Sequence, residues 1–322
     1  MQGNSSVIIE DMENFAAALK TMGHVDRLRI LALLARGELT ITELVQILGL
    51  SQPRVTQYIK SLESVEIIER LREGSWVFSR LKRGNPALTK LVETTLQTLP
   101  QNEALLRSDM RRLNEVREVR SQIADAFFAR VAQNSDQLGD EYLPQERIEE
   151  ALLKVSGDGP FSFMIDMGTG TGRMLELFAG RIERGAGIDS NPEMLKVARH
   201  KLAPDEFAHI SVQQGDLHTT PFRERTADLV TLHQVLHYLD EPREAIYEAS
   251  RLLAPQGQLL IIDFEAHTED HFREDYAHRR LGFSDQDMAE WAEGASLQIK
   301  TEMKLSNRDN PAIKIWKAVK PN

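Results

Sequence analysis

The stretch "MIDMGTGTGRML", residues 164–175, joins an apolar run containing an acid to three glycines at alternate positions. It is typical of a buried strand followed by a loop and a helix, with Gly168, Gly170 and Gly172 in the loop. Glycines allow a backbone to approach a ligand closely, and the N–H groups of a helix N-terminus bind anions. The dinucleotide motif needs glycine at position 173, which is arginine here, and no P-loop Gly-Lys-Ser/Thr follows. The stretch therefore indicates a small-molecule site of another kind.

The pattern D-x-G-x-G-x-G, from Asp166 to Gly172, resembles the first motif of class I methyltransferases, which use S-adenosylmethionine (SAM). The resemblance implies that this loop and Asp166 hold the methionine end of the cofactor. In "GAGIDSNPEMLKVARHKL", a second strand ends at Asp189, 17 residues beyond Gly172. An acid in that place binds ribose hydroxyls in other doubly wound folds. Met194 would flank the adenine.

Two further stretches continue the resemblance across residues 164–264. The segment "HISVQQGDLHTTPF" ends a third strand, after which Asp216 and Leu217 would contact the adenine edge. The segment "ADLVTLHQVLHYLDEPREAIYEASRLLAPQGQLLIIDF" predicts a strand, a helix and another strand, with His233 at the end of the fourth strand. The order of these motifs predicts an α/β fold with a doubly wound, Rossmann-like sheet. We expect "ASLQIKTEMKL" and "AIKIWKAVK" to form the antiparallel strand pair that closes such a sheet.

The candidates for catalysis are histidines, because methyl transfer needs positioning and, for weakly acidic acceptors, a general base. His233 and His237 follow the fourth strand and are the predicted catalytic pair, and His233 is also a predicted cofactor contact. In "EAHTEDHFREDYAHRRLGF", four residues are spaced to share one helical face: His267, His271, Glu274 and His278. Such a face forms a metal site, a polar pocket wall or a solvated surface, and we predict no metal.

Between two predicted domains lies a helical and strongly charged segment, residues 100–150. Residues 103–120 are expected to form a solvated linker helix. The later part, with Phe127, Phe128 and Tyr142, resembles the lid helix that covers SAM in small-molecule methyltransferases. The predicted domains are therefore 8–99, the linker and lid at 100–150, and the methyltransferase at 151–322.

The first hundred residues show a different pattern. Thr40 and Glu43 form a capping box that begins a short helix, and Gly49 provides a tight turn. Ser51 is a suitable N-cap for the next helix, whose first turn contains Pro53. Two short helices joined by such a turn make a helix-turn-helix, although a helical hairpin with a charged outer face has the same pattern.

The second of these helices would place Val55, Ile59 and Leu62 inward. The following segment predicts two strands around residues 73–75, a wing that carries basic side chains. Long polar side chains contact base edges and phosphates in a major groove. The predicted DNA-binding residues are Ser51, Gln52, Arg54, Thr56, Gln57, Lys60 and Arg72.

Residues 8–99 resemble the ArsR/SmtB family of winged-helix repressors, through "DRLRILALLARGELTITELVQILGLSQPRVTQYIKSLESVEIIERLREGSWVFSRL". The resemblance implies binding to operator DNA as a homodimer that pairs through residues 10–22 and 86–99. Family members that sense metals have cysteines before the recognition helix, but "ITELVQIL" has none. The helix at 86–99 lacks histidine as well. We therefore expect no metal sensing.

The composition of the whole chain limits the possible functions. The 322 residues are 41% hydrophobic and 27% charged, contain no cysteine and carry a net charge of −10. Residues 1–100 have 12 Lys+Arg against 11 Asp+Glu, so the acidic excess lies in the remainder. The absence of cysteine excludes thiolate-dependent arsenite methylation and favours the cytoplasm. No apolar run approaches the roughly 20 residues that span a bilayer, so no membrane partner is expected.

Three hypotheses remain from the sequence. The first is an active methyltransferase for a small molecule, fused to its own DNA-binding domain. The second is a transcriptional regulator whose methyltransferase fold only senses SAM or S-adenosylhomocysteine (SAH). The third is an enzyme whose winged helix serves only dimerisation, although the basic wing disfavours it.

Overall fold

The computed structural model describes residues 12–82, 85–100, 103–133, 144–306 and 310–322. The chain divides into two compact units, Met1–Ser121 and Gln122–Asn322. This division falls inside a helix, whereas the sequence placed its boundaries near residues 99 and 150.

The first unit is a small α/β domain. Its elements are α1 (Met12–Met22), α2 (Val25–Leu34), β1 (Leu39–Thr40), α3 (Ile41–Leu48), α4 (Gln52–Glu63), β2 (Ile68–Glu73), β3 (Trp76–Leu81), α5 (Pro86–Thr98) and the start of α6 (Ala104–Gln133). The strands form an antiparallel three-stranded sheet in the order β1-β3-β2. Helices α3 and α4 are the predicted helix-turn-helix, and the hairpin β2-β3 is the predicted wing.

Short-range interactions define the helix-turn-helix. The Thr40 backbone N–H donates to Glu43 Oε2 at 2.8 Å, and the Glu43 N–H donates to Thr40 Oγ1 at 3.3 Å, so the capping box is complete. Gly49 ends α3 in the left-handed region, with φ of 67°, which a residue with a side chain rarely adopts. Ser51 is the N-cap residue of α4, but its hydroxyl makes no capping hydrogen bond. The turn geometry and Pro53 therefore define this helix start without the expected side-chain cap.

One hydrophobic core holds the first unit together. Val55, Ile59 and Leu62 on α4 are completely buried, as the sequence predicted. Residues Leu113 and Val116 of α6 belong to the same core, and Asp109 has no exposed surface. The expectation of a solvated linker at 103–120 is therefore wrong, because this part of α6 has an apolar face that the unit buries.

The second unit contains the larger sheet. Its elements after α6 are α7 (Gln145–Ser156), β4 (Met164–Met167), α8 (Arg173–Phe178), β5 (Gly185–Asp189), α9 (Pro192–Lys201), β6 (Ile210–Gln214), β7 (Ala227–His233), α10 (Pro242–Leu252), β8 (Leu253–Phe264), α11 (His271–Asp275), α12 (Asp285–Gly294), β9 (Gln298–Leu305) and β10 (Ile313–Val319). The seven strands lie in the order β6-β5-β4-β7-β8-β10-β9.

Strand direction in this sheet determines where a ligand can bind. Strands β6, β5, β4, β7 and β8 are parallel, and β10 is antiparallel to both β8 and β9. The predicted closing strand pair is thereby confirmed. The strand order reverses between β4 and β7, and ligands of doubly wound sheets bind beyond the carboxyl ends of the strands at this switch point. All four residues of β4 are buried, as expected for a strand covered on both faces.

None of the helices in the described part of the chain is long and apolar enough to cross a membrane.

Candidate functional site

The glycine loop lies between β4 and α8, and its backbone requires glycine. Gly168, Gly170 and Gly172 have φ values of 78°, 52° and 83°. A Cβ on Gly168 would lie 2.5 Å from Val235 Cγ2, and one on Gly172 would lie 2.9 Å from Leu202 Cδ1. The loop therefore packs too closely for side chains at these positions, and Gly172 begins α8 as its N-cap residue.

Asp189 connects the end of β5 to this loop. Its Oδ2 accepts a hydrogen bond from the Gly170 N–H at 2.8 Å, and its Oδ1 accepts one from the Asn191 N–H at 2.8 Å. A carboxylate in this place is the type of group that accepts hydrogen bonds from ribose hydroxyls. The structure thus brings together the Gly loop and the acid that the sequence assigned to the ribose.

Asp166 is a buried carboxyl group in β4, with 1% of its surface exposed. Its Oδ1 accepts a hydrogen bond from Thr231 Oγ1 at 2.6 Å, and among the described residues its Oδ2 has no partner. Burial raises the pKa of Asp166 from 3.8 to about 6. An unpaired buried carboxyl oxygen beside a glycine loop suits an ammonium group of a ligand.

The other predicted cofactor contacts lie around the same edge of the sheet. Met194 is half-buried, and its Cε lies 3.4 Å from the Cβ position of Gly170. Leu217 is buried after β6, whereas the neighbouring Asp216 is exposed. Partial burial acts to raise the pKa of Asp216, but hydrogen bonds from the backbone and ring of His218 dominate and lower it. Asp216 is therefore ionised at neutral pH.

These features fit SAM as the cofactor. Gly168 leaves no room for a Cβ and all three loop glycines have positive φ, Asp166 has an oxygen to offer the amino group, and Asp189 adjoins the loop as the hydroxyl acceptor. The fit rests on residues from β4, β5 and the loops after them, which meet because the strands are parallel.

His233 ends β7, at the same edge of the sheet. Burial lowers its pKa to about 4, and the positive charge of Arg173 and the neighbouring His237 contribute to the lowering. Its Nε2 is buried and has no hydrogen-bond partner among the described residues. The ring is therefore neutral at pH 7 and available to a ligand.

His237 forms a pair with Asp263, which the sequence pattern did not predict as a site residue. Its Nδ1 lies 2.6 Å from Asp263 Oδ1, and both side chains are almost completely buried. Asp263 Oδ2 accepts the Leu236 N–H at 3.1 Å, which holds the carboxylate in place. Since Nδ1 bonds to a carboxylate, it carries the proton and leaves Nε2 as the acceptor atom. The acid at the end of the apolar run "LLIIDF" was the available signal for Asp263.

Aromatic side chains surround this pair. The ring of His278 stacks on His237 with centroids 3.9 Å apart, and Tyr238 lies 4.1 Å away. Phe127 and Phe128 of α6 contact Tyr238 at 6.4 and 4.7 Å between centroids. These two phenylalanines are where a lid is expected, while Tyr142, the third residue predicted for the lid, lies outside the described residues.

The predicted helical face of histidines is wrong. Helix α11 covers only His271–Asp275, so His267 and His278 lie outside it. Ala277, just before His278, has left-handed backbone with φ of 57°. Burial, followed by the neighbouring His237, lowers the pKa of His278. Among the residues described, no group of three or more His, Cys, Asp or Glu could hold a metal ion.

In the first unit, most of the predicted DNA-binding side chains are exposed. The exposed ones are Ser51, Gln52, Arg54, Gln57 and Lys60 on or before α4, and Arg72 on β2. Thr56 is half-buried. Arg54 is also held from within the unit, since its Nη2 lies 2.9 Å from Asp26 Oδ2.

Family comparisons agree with both units. A model of the methyltransferase domain matches residues 165–261, and a model of bacterial regulatory proteins of the arsR family matches residues 24–70. The methyltransferase YcgJ of Bacillus subtilis is 27% identical over 103 residues, which are 32% of this chain and 41% of YcgJ. The demethylmenaquinone methyltransferase of Thermotoga maritima is 30% identical over 146 residues, which are 42% of this chain and 59% of that protein.

Among solved structures, the methyltransferase in complex with the Haloferax volcanii Trm112 methyltransferase activator is 20% identical. It has a TM-score of 0.51 and covers 61% of this chain and 98% of its own, so it shares the fold. The chain spans about half the length of the curated relatives reported above. The second unit is a class I methyltransferase domain, the class of fold that uses SAM. The protein is a fusion of this domain with an arsR-family helix-turn-helix domain.

Proposed function

We propose that the protein is a DNA-binding transcriptional regulator of the ArsR type that also methylates a small molecule with SAM. The observation that carries the enzymatic part is the arrangement at the switch point. There the glycine loop, Asp166 and Asp189 form one cofactor cradle, and the His237–Asp263 pair follows the adjacent strand.

The residues of this site have separate tasks in the proposed reaction. SAM supplies an electrophilic methyl group when bound. His237 Nε2 accepts the proton that the methyl acceptor loses, and Asp263 keeps the ring in the required tautomer. His233, neutral because it is buried, donates or accepts one hydrogen bond to position the acceptor. Phe127 and Phe128, which pack against Tyr238, would limit the access of water to bound SAM.

A small organic acceptor suits this site better than a macromolecule. The surroundings of His237 are mainly ring side chains, with His278 stacked on it and Tyr238 and Phe128 close by, which suits a small organic molecule. The relatives named for demethylmenaquinone and for ubiquinone and menaquinone biosynthesis act on small molecules. An acceptor with aromatic or extended apolar character is consistent with both observations.

The DNA-binding part of the proposal rests on the first unit. Helix α4 exposes a row of polar side chains, and α1 exposes Met12 and Leu19 to solvent at 81% and 45%. Apolar side chains exposed on α1 support a homodimer that pairs through this helix. The dimer would place two copies of α4 on successive turns of operator DNA. A cytoplasmic location follows from the proposed access to DNA.

A second candidate is a regulator that senses SAM or SAH without catalysis. It is favoured by helix α6, which supplies Leu113 and Val116 to the core of the first unit and Phe127 to the second unit. In that case the His237–Asp263 pair has only a structural role.

Turnover separates the two candidates. The purified protein is incubated with methyl-labelled SAM and a low-molecular-weight cell extract, and labelled products are counted. We expect a labelled small molecule that is absent with Asp189→Ala, which weakens the cofactor cradle. A protein that binds SAM by calorimetry but labels nothing in extracts of its host would contradict the enzymatic proposal and favour the sensor.

A further inference from the structure

A chain of buried charged residues connects α6 to α4 inside the first unit. Arg29 of α2 donates to both carboxylate oxygens of Asp109 on α6, from Nε to Oδ2 at 2.7 Å and from Nη2 to Oδ1 at 2.8 Å. The side chains of Arg29 and Asp109 are 8% and 1% exposed. Paired hydrogen bonds of this kind define the orientation of both groups.

Asp26 continues the chain on the other side of Arg29. Its Oδ1 accepts from Arg29 Nη1 at 3.0 Å, and its Oδ2 accepts from Arg54 Nη2 at 2.9 Å. The hydroxyl of Tyr58 also donates to Oδ2, at 3.1 Å. Each oxygen of Asp26 therefore serves a different arginine, one inside the core and one on α4.

Arg54 is the end of the chain and the only one of its arginines that reaches solvent. Its Nε donates to Tyr58 Oη at 2.9 Å, and its side chain is 51% exposed. A guanidinium has five N–H donors in a fixed fork. Two of its nitrogens are engaged within the unit, which leaves Nη1 for an outside acceptor such as a base edge.

We propose that Asp26 and Asp109, bridged by Arg29, are positioning residues for operator recognition that determine where α4 presents the Arg54 guanidinium. This inference rests on the proposed operator binding. A rotation or shift of α6 against α2 would move Asp109 and redistribute Arg29 between its two carboxylates. Asp26 would then hold Arg54 differently, so operator selectivity depends on the position of α6.

The test is a double-mutant cycle on the full chain. An operator is first selected with the wild-type protein from random DNA duplexes. The specificity ratio is then measured by fluorescence anisotropy, as the Kd for a scrambled duplex divided by the Kd for the operator. Asp109→Asn and Asp26→Asn should each lower this ratio about tenfold, in the range expected for one base contact, with the Kd for scrambled DNA unchanged.

The second arm of the cycle repeats both substitutions in an Arg54→Gln background. If the two aspartates act through Arg54, they should change the specificity ratio less than twofold there. Equal losses in both backgrounds would mean a merely structural role and would overturn the proposal. Circular dichroism and the melting temperature show whether each variant is folded.

Two further variants complete the experiment. Glu63→Gln removes one negative charge from α4, where it pairs with Arg70 at 2.8 Å outside the chain of residues described above, and should leave the ratio unchanged. Arg54→Lys keeps the positive charge but loses the paired N–H donors of the guanidinium. Because position 54 is exposed, this variant is expected to fold. It therefore tests the proposal even if the aspartate variants do not fold. Full selectivity in Arg54→Lys would overturn it. A wild-type protein that selects no sequence would instead contradict the proposed operator binding itself.

Discussion

The buried carboxyl group of Asp166 makes the stability of the second unit depend on pH. Its pKa is raised from 3.8 to about 6 by burial, so the folded state binds a proton more tightly than the unfolded state does. The resulting stabilisation is complete below pH 4 and is lost as the pH rises through 6. The raised pKa corresponds to about 3 kcal/mol. We expect the free energy of unfolding to fall between pH 4 and pH 7 in the wild type more than in Asp166→Asn, as measured by urea titration. Parallel pH profiles for the two proteins would contradict this assignment.

Asp189 is the residue that best tests the cofactor site by affinity. Its carboxylate accepts a hydrogen bond from the Gly170 N–H in the glycine loop. Asp189→Ala should weaken SAM and SAH binding by about 2 kcal/mol, measured by isothermal calorimetry. Asp205→Ala, in the short helix Asp205–Phe207, is a control that removes one acid outside the site and should bind as the wild type does. Unchanged affinity in Asp189→Ala would refute its role.

At the scale of elements, α4 and the wing carry the expected DNA contact. Lys60 is exposed near the end of α4. A lysine ammonium binds phosphate as a point charge and does not make the paired hydrogen bonds by which arginine recognises a base. Lys60→Ala should weaken binding to all sequences similarly and reduce the slope of log affinity against log salt by about 1. The measurement is a salt series of anisotropy titrations on operator and scrambled duplexes. An unchanged slope would mean that Lys60 does not contact a phosphate.

Zinc or arsenite should leave DNA binding unchanged, since the chain has no cysteine.

The elements that the sequence predicted are those determined by local interactions. The capping box at Thr40, the left-handed Gly49 and the alternate glycines each involve residues a few positions apart. The missed features join distant residues. The Asp263–His237 pair spans 26 positions, and the Arg29–Asp109 pair spans 80. The buried face of α6 was also missed. The helix is rich in charged residues, and its apolar stripe becomes evident only from the packing in the structure.

At the scale of the whole molecule, α6 contributes residues to both units. Its first half holds Asp109, which bonds Arg29, and its second half holds Phe127, which contacts Tyr238. A ligand that contacts the second half therefore acts on a helix whose first half is bonded within the first unit. Both residues lie on one helix, Ala104–Gln133.

We expect, for this reason, that the cofactor state changes operator affinity. A ligand shifts a conformational equilibrium only by its differential affinity for the two states, and couplings are typically about 1–3 kcal/mol. Operator affinity should therefore change roughly 5- to 150-fold between SAM, SAH and no ligand, and operator DNA must change the affinity for the same ligand by the same factor. Operator titrations under the three conditions measure the effect, and calorimetry of SAH with and without operator checks the reciprocity. Asp109→Asn, if folded, should reduce the coupling while leaving SAH affinity in the absence of DNA unchanged. Three superimposable titration curves would mean that cofactor binding and operator binding are not coupled, although both units contain part of α6.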